Sequence, residues 1–207
     1  MAGSRLDRGR RDRRTALGSK LLYWLEDPAA TLAHWNDLIF LLGGKTIVGG
    51  LLGGLIGVEW IKKRRGIARR TGDLFAIPLA VGIAVGRIGC FLAGLGDQTY
   101  GVATSLPWGV DFGDGIARHP VQLYESAYAL LLAGVLSMAG SRRPPEGSLF
   151  RLFLVLYLGF RLAVDFWKPG APLAGLTSLQ WCCAGAVLYY APGLLSASAR
   201  KEAAANG

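Results

Sequence analysis

Four ionisable side chains lie inside long apolar stretches of the sequence, where a charge is costly unless it has a partner. They are Arg87, Glu125, Arg161 and Asp165. Arg161 and Asp165 are four residues apart, so on a helix they lie on one face and can form an ion pair that only holds helices together. Alternatively these charges bind a ligand, and the pattern alone leaves both interpretations open.

Arg87 has no acidic residue within one helical turn, and Gly86 and Gly89 lie close to it on either side. Such small neighbours allow another group to approach the guanidinium closely. A guanidinium presents a planar fork of N–H donors that matches phosphate, and phospholipid headgroups are the abundant phosphates of a membrane. We therefore predict that Arg87 binds a lipid phosphate.

His119 and Glu125 belong to a polar stretch that leads into an apolar segment. An imidazole can accept a proton from a thiol or a hydroxyl, whereas a histidine beside a proline is often a structural hydrogen-bonding group. Glu125 either forms an ion pair with Arg118, Arg87 or Arg161, or acts as a base. Tyr124, which precedes it, is typical of the membrane interface.

The elements that must position these side chains are long and apolar. Each is long enough to cross a bilayer about 30 Å thick, which takes about 20 helical residues, and helices satisfy their own backbone hydrogen bonds in lipid. The sequence therefore predicts an all-α, polytopic membrane helical bundle with five clear spans and a clipped N-terminal helix around residues 16 to 25. The five spans are 38–59, 74–95, 121–140, 148–167 and 176–195.

The loops between the predicted spans alternate in charge. Residues 62–70 carry six Lys and Arg side chains, whereas residues 96–120 carry three aspartates and a single arginine. Cytoplasmic loops are enriched in Lys and Arg, so the first loop is predicted to be cytoplasmic and the second external. The same alternation places the C-terminus in the cytoplasm.

The composition excludes several classes of protein. The 207 residues include 23 Lys and Arg against 14 Asp and Glu, for a net charge of +9, yet 52% of them are hydrophobic, which a disordered chain would not show. The basic residues are grouped in short clusters between apolar runs, which argues against a nucleic-acid-binding surface. The thirty glycines lie mostly inside apolar runs, as closely packed membrane helices allow. The three cysteines lack the paired spacing of a zinc site, so we expect neither a metal site nor disulfides.

We divide the chain into three parts. Residues 1–15 form a basic leader that we expect to be disordered, residues 16–196 a single transmembrane domain, and residues 197–207 a cytoplasmic tail. A cleaved signal peptide is not expected, because the first apolar run ends at Glu26, Asp27 and Pro28 and not in small residues.

Two motifs identify a resemblance. The stretch GRIGCFLAGL at 86–95, followed by Tyr100 and Gly101, and the stretch RHPVQLYES at 118–126 are similar to the bacterial prolipoprotein diacylglyceryl transferase family. Further similarity lies at 17–27, at 43–57 and around Arg161, so the resemblance covers nearly the whole chain after residue 15. Members of the family usually have seven spans, and the resemblance implies that this chain begins inside the second.

The resemblance implies an enzyme of the bacterial inner membrane. Such an enzyme transfers a diacylglyceryl group from phosphatidylglycerol to the thiol of a lipobox cysteine in a prolipoprotein signal peptide, without a metal or a diffusible cofactor. It needs a guanidinium for the departing phosphate and a proton acceptor for the thiol. The implied catalytic residues are His119, Arg161, Asp165 and Glu125, and the implied substrate-binding residues are Arg87, Gly101, Tyr124 and Gln122.

The sequence departs from the family pattern at four positions. Val48 stands where the family typically has a histidine, Cys90 replaces an asparagine, Leu95 replaces a glutamate, and Asp165 replaces a glutamate. These departures favour an alternative to a transferase, a relative that binds phospholipid without catalysis. A small transporter is a third possibility, because an arginine and a carboxylate inside helices can also mark a permeation path, although the five predicted spans show no inverted repeat.

Overall fold

The computed structural model describes residues 47–67, 70–168 and 175–205, with side chains described as far as residue 194 in the last stretch. This part of the chain is mainly helical. The predicted leader at 1–15, the predicted clipped helix and residues 38–46 of the first predicted span lie outside the described residues. The helices are α1 (Ile47–Arg64), α2 (Asp73–Ala93), α3 (Val121–Ser141), α4 (Ser148–Val164) and α5 (Ser178–Ala205).

The four later predicted spans coincide with helices α2 to α5. One difference is that α4 ends at Val164 and continues as a single 3-10 turn, Asp165–Trp167. A second difference is that α5 runs to Ala205, well beyond the predicted end of its span at residue 195.

The chain divides into two compact units. The first comprises residues 1–69 and 170–181, and in it the structure describes α1 and the start of α5. The second comprises residues 70–169 and 182–207 and contains α2, α3, α4 and the rest of α5. The charged side chains at positions 87, 125, 161, 165 and 168 all belong to the second unit.

Helices α2 and α3 pack closely because small side chains line their contact. Ala80 and Ala84 of α2 and Ala129 of α3 are almost wholly buried, and the Ser126 hydroxyl donates to the Ala84 carbonyl at 2.9 Å. Larger side chains, including Phe153 and Leu158, fill the core on the α4 side. Alanine pairs let two helix backbones approach each other, which is typical of membrane bundles.

Among the described residues, α2 with its following turn (Asp73–Asp97) and α3 are long and apolar enough to cross a membrane. Most of each helix is not buried in the protein, and large apolar side chains such as Val85 and Leu92 of α2 face outward. A core helix of a water-soluble protein would be mostly buried, so this pattern favours contact with lipid. Helix α4 has 17 residues and reaches about 20 only with its 3-10 turn.

A carboxylate of α2 caps the start of α4. Asp73 accepts hydrogen bonds from the backbone N–H of Gly147 at 2.6 Å and of Phe150 at 2.8 Å. These donors have no partner within their own helix, so an acceptor at this end stabilises it. Gly147 has φ +83° and lies against Arg70, where any side chain would be strained. The contact fixes the beginning of α4 next to the beginning of α2.

The segment between α2 and α3 contains structure that the sequence did not predict. A 3-10 turn, Gly94–Asp97, follows α2, and strand β1 (Val110–Asp111) pairs antiparallel with β2 (Ala117–Arg118). Asp111 Oδ1 organises the turn between the strands by accepting from the backbone N–H of Gly113, Asp114 and Gly115. The all-α prediction therefore holds for the helices and omits this small hairpin.

Candidate active site

Three helices each contribute one charged side chain to a buried cluster. Glu125 of α3 is at the centre: its Oε2 lies 2.7 Å from Arg87 Nε of α2, and its Oε1 lies 2.8 Å from Arg161 Nη1 of α4. All three side chains are at most 5% exposed. Of the partners considered for Glu125 in the sequence, Arg87 and Arg161 are therefore in contact with it, whereas Arg118 pairs with Asp114.

Two further charges complete the cluster just beyond the end of α4. Asp165 Oδ1 lies 3.4 Å from Arg161 Nη2, as the spacing of four predicted. Lys168 Nζ lies 2.7 Å from Glu125 Oε1. Lys168 was not among the residues predicted for the site, because a lysine at the end of a span is ordinarily read as an interfacial charge. In the described residues, the cluster holds three cations and two carboxylates.

Several buried polar atoms next to these charges have no hydrogen-bond partner within the described part of the chain. They are both amide atoms of the Gln122 side chain, the Tyr157 hydroxyl and Arg161 Nε, whereas Arg87 Nε and Glu125 Oε2 face each other as an ion pair without hydrogen-bond geometry. Gln122 is one helical turn before Glu125, and Tyr157 is one turn before Arg161. A buried polar group without a partner costs about 1–3 kcal/mol, so these atoms are suited to bind a polar ligand.

The charged cluster lies near one end of the bundle. Arg87 is six residues before the end of α2, Glu125 four residues after the start of α3, and Arg161 three residues before the end of α4. At 1.5 Å per helical residue, these positions lie about 5–9 Å inside the helix ends. This end carries the segment that joins α2 to α3, which is predicted to be external.

His119 lies in that segment, directly before α3. Its Nδ1 is 3.3 Å from Tyr124 Oη, and the same oxygen accepts the Trp108 indole N–H at 2.9 Å. The imidazole ring also lies 6.5 Å from the ring of Trp167, the residue before Lys168. The histidine is thus in contact with the aromatic side chains of Tyr124 and Trp167. It lies at the same end of the bundle as the charged cluster.

Gly101 packs directly against His119. Its N–H donates to the His119 carbonyl at 3.0 Å, and a Cβ placed on Gly101 would lie 2.6 Å from His119 Cβ and 2.7 Å from Val121 Cγ2. Contacts below 3.0 Å require one of the groups to move. The absence of a side chain at Gly101 therefore sets the position of His119.

We expect Gly101→Ala to displace His119 and to lower the stability of the protein by about 1–3 kcal/mol. If the protein catalyses a reaction that uses His119, the rate should also fall, because displacing a catalytic group by about 1 Å can lower the reaction rate by as much as 100-fold. Thermal unfolding in detergent and an activity assay measure the two effects. Gly96→Ala is a suitable control, because a Cβ at Gly96 meets no atom within 4 Å. Wild-type stability in Gly101→Ala would refute the packing argument.

Arg118 does not join the buried cluster. It forms an ion pair of 2.6 Å with Asp114 across the β1–β2 turn, and its guanidinium lies 4.9 Å from the centre of the Tyr100 ring. The hydrogen bond from Arg118 lowers the pKa of the Asp114 carboxyl, and Asp114 raises the pKa of Arg118. Both are surface groups, so the pair shapes the hairpin and contributes little stability.

Comparison with known proteins decides the family. The family model described as prolipoprotein diacylglyceryl transferase matches residues 15–195. This chain belongs to the prolipoprotein diacylglyceryl transferase family. The resemblance predicted from the two sequence motifs is thereby confirmed.

Curated members of the family have similar sequences along most of this chain. Three such relatives are named phosphatidylglycerol–prolipoprotein diacylglyceryl transferase. The protein of Nitratidesulfovibrio vulgaris strain Miyazaki F is 37% identical over 174 residues, which cover 81% of this chain and 62% of the relative. The proteins of Geobacter sulfurreducens and Methylobacillus flagellatus are 35% and 38% identical, covering 74% and 72% of this chain and 57% and 60% of their own. The chain thus spans about three fifths of the length of these relatives.

The residues that the diacylglyceryl transferase resemblance singled out occupy one end of the second unit. Arg87, Arg161, Asp165 and Glu125 form the buried cluster, and Gln122 lies one turn from it. His119, Tyr124 and Gly101 form a second group in and beside the preceding segment. Lys168 and Tyr157 are additional members of the cluster that the sequence did not indicate.

Three of the positions at which this chain departs from the diacylglyceryl transferase pattern have distinct surroundings. Cys90 Sγ lies 4.0 Å from Arg87 Nη1, so a thiol stands beside the guanidinium. Leu95 lies in the 3-10 turn after α2. Val48 is buried in α1, in the first unit, and its side chain cannot accept a proton. Any catalytic base would therefore have to be another residue.

Proposed function

We propose that this protein transfers a diacylglyceryl group from phosphatidylglycerol to the thiol of a lipobox cysteine in a prolipoprotein signal peptide. The cysteine sulfur attacks the phosphate-bearing carbon of the diacylated glycerol, a C–S bond forms, the bond from that carbon to the phosphate oxygen breaks, and glycerol phosphate leaves. The observation that carries the proposal is the buried cluster around Glu125, in which, among the described residues, cations outnumber carboxylates and neighbouring polar atoms have no hydrogen-bond partner. Such a cluster is suited to an anionic group.

The depth of the cluster supports a lipid as the source of that anion. The charges lie about 5–9 Å inside the ends of α2, α3 and α4, so a phosphate that reaches them lies just below the headgroup region of that membrane surface. The outward faces of α2 and α3 are apolar along their length, as contact with acyl chains requires. A phospholipid can therefore place its phosphate at Arg87 and Arg161 while its chains remain in the bilayer.

Arg87 and Arg161 stabilise the phosphate as it leaves. Negative charge builds up on the phosphate oxygen when the C–O bond breaks, and preorganised N–H donors in a site shielded from water stabilise that charge strongly. Glu125 and Asp165 hold the two guanidinium groups in fixed orientations before the substrate binds. The Tyr157 hydroxyl and the Gln122 amide supply additional hydrogen bonds to the headgroup.

His119 accepts the proton of the cysteine thiol. With a proton on Nδ1, the imidazole donates to Tyr124 Oη, and Nε2 then carries the free lone pair. Glu125 is less suited to this role, because three cations around one carboxylate stabilise its ionised form and weaken it as a base. Tyr124 therefore orients the base, and Gly101 allows the histidine to occupy its place.

We expect His119→Gln to slow transfer about 100-fold, because general-base catalysis typically contributes at least that factor. The phosphate site remains intact, so binding of phosphatidylglycerol should be unchanged. Tyr124→Phe, which removes the orienting hydroxyl and keeps the ring, should have a smaller effect. Rates come from mass-spectrometric detection of the modified peptide. A wild-type rate in His119→Gln would refute this role for the histidine and leave the phosphate site untouched.

The proposed setting is the bacterial inner membrane, with several spans and a cytoplasmic C-terminus. The end of α1 carries Lys62, Lys63 and Arg64, which is typical of a cytoplasmic helix end. The segment with His119 and the aspartates then faces outward, where the signal peptides of exported prolipoproteins emerge. Labelling single cysteines introduced at Asp114 and at Lys63 with a membrane-impermeant reagent tests this orientation.

The transferase activity is tested with purified protein, phosphatidylglycerol and a synthetic lipobox peptide. A diacylglyceryl adduct on the peptide cysteine, detected by mass spectrometry and absent when the thiol is blocked, supports the proposal. No adduct from protein that still binds phosphatidylglycerol would instead support a non-catalytic phospholipid-binding protein, which Val48 favours since it carries no ionisable group. In that case Val48→His tests whether activity can be restored.

A further inference from the structure

Lys168 is the cation that gives the buried cluster its excess charge. Arg87 and Arg161 are balanced by Glu125 and Asp165, so without Lys168 the described members of the cluster sum to zero. Lys168 adds one positive charge, which no additional carboxylate of the described cluster offsets. Its backbone N–H donates to the Asp165 carbonyl at 3.1 Å, which fixes the lysine at the end of the 3-10 turn.

Lys168 is also the cation best placed to reach a ligand. Its side chain is 13% exposed, compared with 5% for Arg87 and for Arg161. Its Nζ shares Glu125 Oε1 with Arg161 Nη1, so the ammonium can turn toward another anion while both arginines still hold the carboxylate. An ammonium on a four-carbon stem can make such a movement, whereas the two guanidinium groups are fixed by their pairings.

We propose that Lys168 determines the specificity of this site for phospholipids whose headgroup carries a net negative charge, against zwitterionic phospholipids. A headgroup with a net charge of −1 neutralises the charge that Lys168 adds. A zwitterionic headgroup brings its own ammonium into a site that already holds three cations, and like charges repel strongly where water is scarce. The inference rests on the proposed function insofar as the ligand is a phospholipid.

The test uses the full chain in detergent with an equimolar mixture of phosphatidylglycerol and phosphatidylethanolamine that share the same acyl chains. Native mass spectrometry gives the ratio of the two lipids bound. We expect the wild type to favour phosphatidylglycerol and Lys168→Met to lose about tenfold of that preference, as the loss of one charge contact would cause. Lys168→Arg should keep the preference, because it keeps the charge.

Lys62→Met is the matched control. Lys62 is also largely buried and paired with a glutamate, Glu59 at 2.9 Å, but it belongs to α1 and not to the cluster. Its replacement should leave the lipid ratio unchanged. If Lys168→Met does not purify as a folded protein, Lys168→Gln provides the same loss of charge with a side chain that can still donate to Glu125.

The outcomes separate this inference from the proposed function. An unchanged lipid ratio in Lys168→Met or Lys168→Gln overturns the role of Lys168, and so does a wild type that shows no preference. Loss of preference in Lys168→Arg as well would overturn the argument from charge. A wild type that prefers phosphatidylglycerol but modifies no lipobox peptide refutes the transferase and leaves the specificity of Lys168 standing.

Discussion

Arg87→Ala is expected to lower the rate of the proposed diacylglyceryl transfer about 1,000-fold, the upper end of what the loss of one preorganised donor group costs. The guanidinium of Arg87 reaches the cluster from α2 and is the only member supplied by that helix among the described residues. In the proposed reaction the variant lacks the cation that would stabilise the departing phosphate, and Glu125 Oε2 loses its cationic partner. The rate is measured as diacylglyceryl adduct formed on the lipobox peptide.

Two companion variants define what Arg87 does. Arg87→Lys keeps the charge but loses the planar fork of donors, so it should recover only part of the rate. Arg151→Ala is a matched control, because Arg151 bonds to the Gly193 carbonyl about 15 Å along α4 from Arg161 and outside the cluster. Transfer at the wild-type rate in Arg87→Ala, or an equal loss in Arg151→Ala, would exclude a specific role for Arg87.

Glu125→Leu is expected to destabilise the protein by about 3–5 kcal/mol, the usual result of removing one side of a buried ion pair. Three cations from two helices and the following turn converge on this carboxylate, and leucine would leave them facing each other in a buried space. Thermal unfolding in detergent should show the loss. Glu125→Gln has the same shape and an amide oxygen, so it should lose less.

A double variant tests whether repulsion among the cations is the cause. Lys168→Met in the Glu125→Leu background removes one of the three clustered cations, of which, among the described residues, only Arg161 still has a carboxylate partner, Asp165, so it should restore part of the stability. Lys168→Met alone should be close to neutral or slightly destabilising. The coupling between the two positions is then read from the double-mutant cycle. If the two substitutions change the free energy of unfolding additively, repulsion among the cations is not the cause of the destabilisation in Glu125→Leu.

The sequence predicted those parts of the fold and site that are dictated by the free-energy cost of placing unpaired backbone groups or charges in lipid. Helices α2 to α5 were predicted because apolar runs of about 20 residues have few other structures available in lipid. Arg87, Glu125 and Arg161 were singled out because charges in such runs require partners, and the structure brings the three side chains together. The pairing of Arg161 with Asp165 followed from helical spacing.

The remaining features depend on tertiary contacts that no local pattern encodes. Lys168 lies at the end of a predicted span, where lysines are common. It becomes a partner of Glu125 only because α3 packs next to it. The two-residue strands β1 and β2 are too short to show periodicity, and Asp111 stabilises their turn through three backbone contacts. The packing of Gly101 against His119 is a further contact of this kind, and the sequence did not predict it.

The capping of α4 by Asp73 has a consequence for how the chain is made. The carboxylate and the Gly147 N–H that it binds are 74 residues apart, so the acceptor leaves the ribosome long before the donor. The first turn of α4 therefore completes its hydrogen bonding against a helix that has already been synthesised. Because the chain is made from its N-terminus, α2 is synthesised before α4. The N-terminal end of α4 can therefore dock on α2 only after α2 has been made.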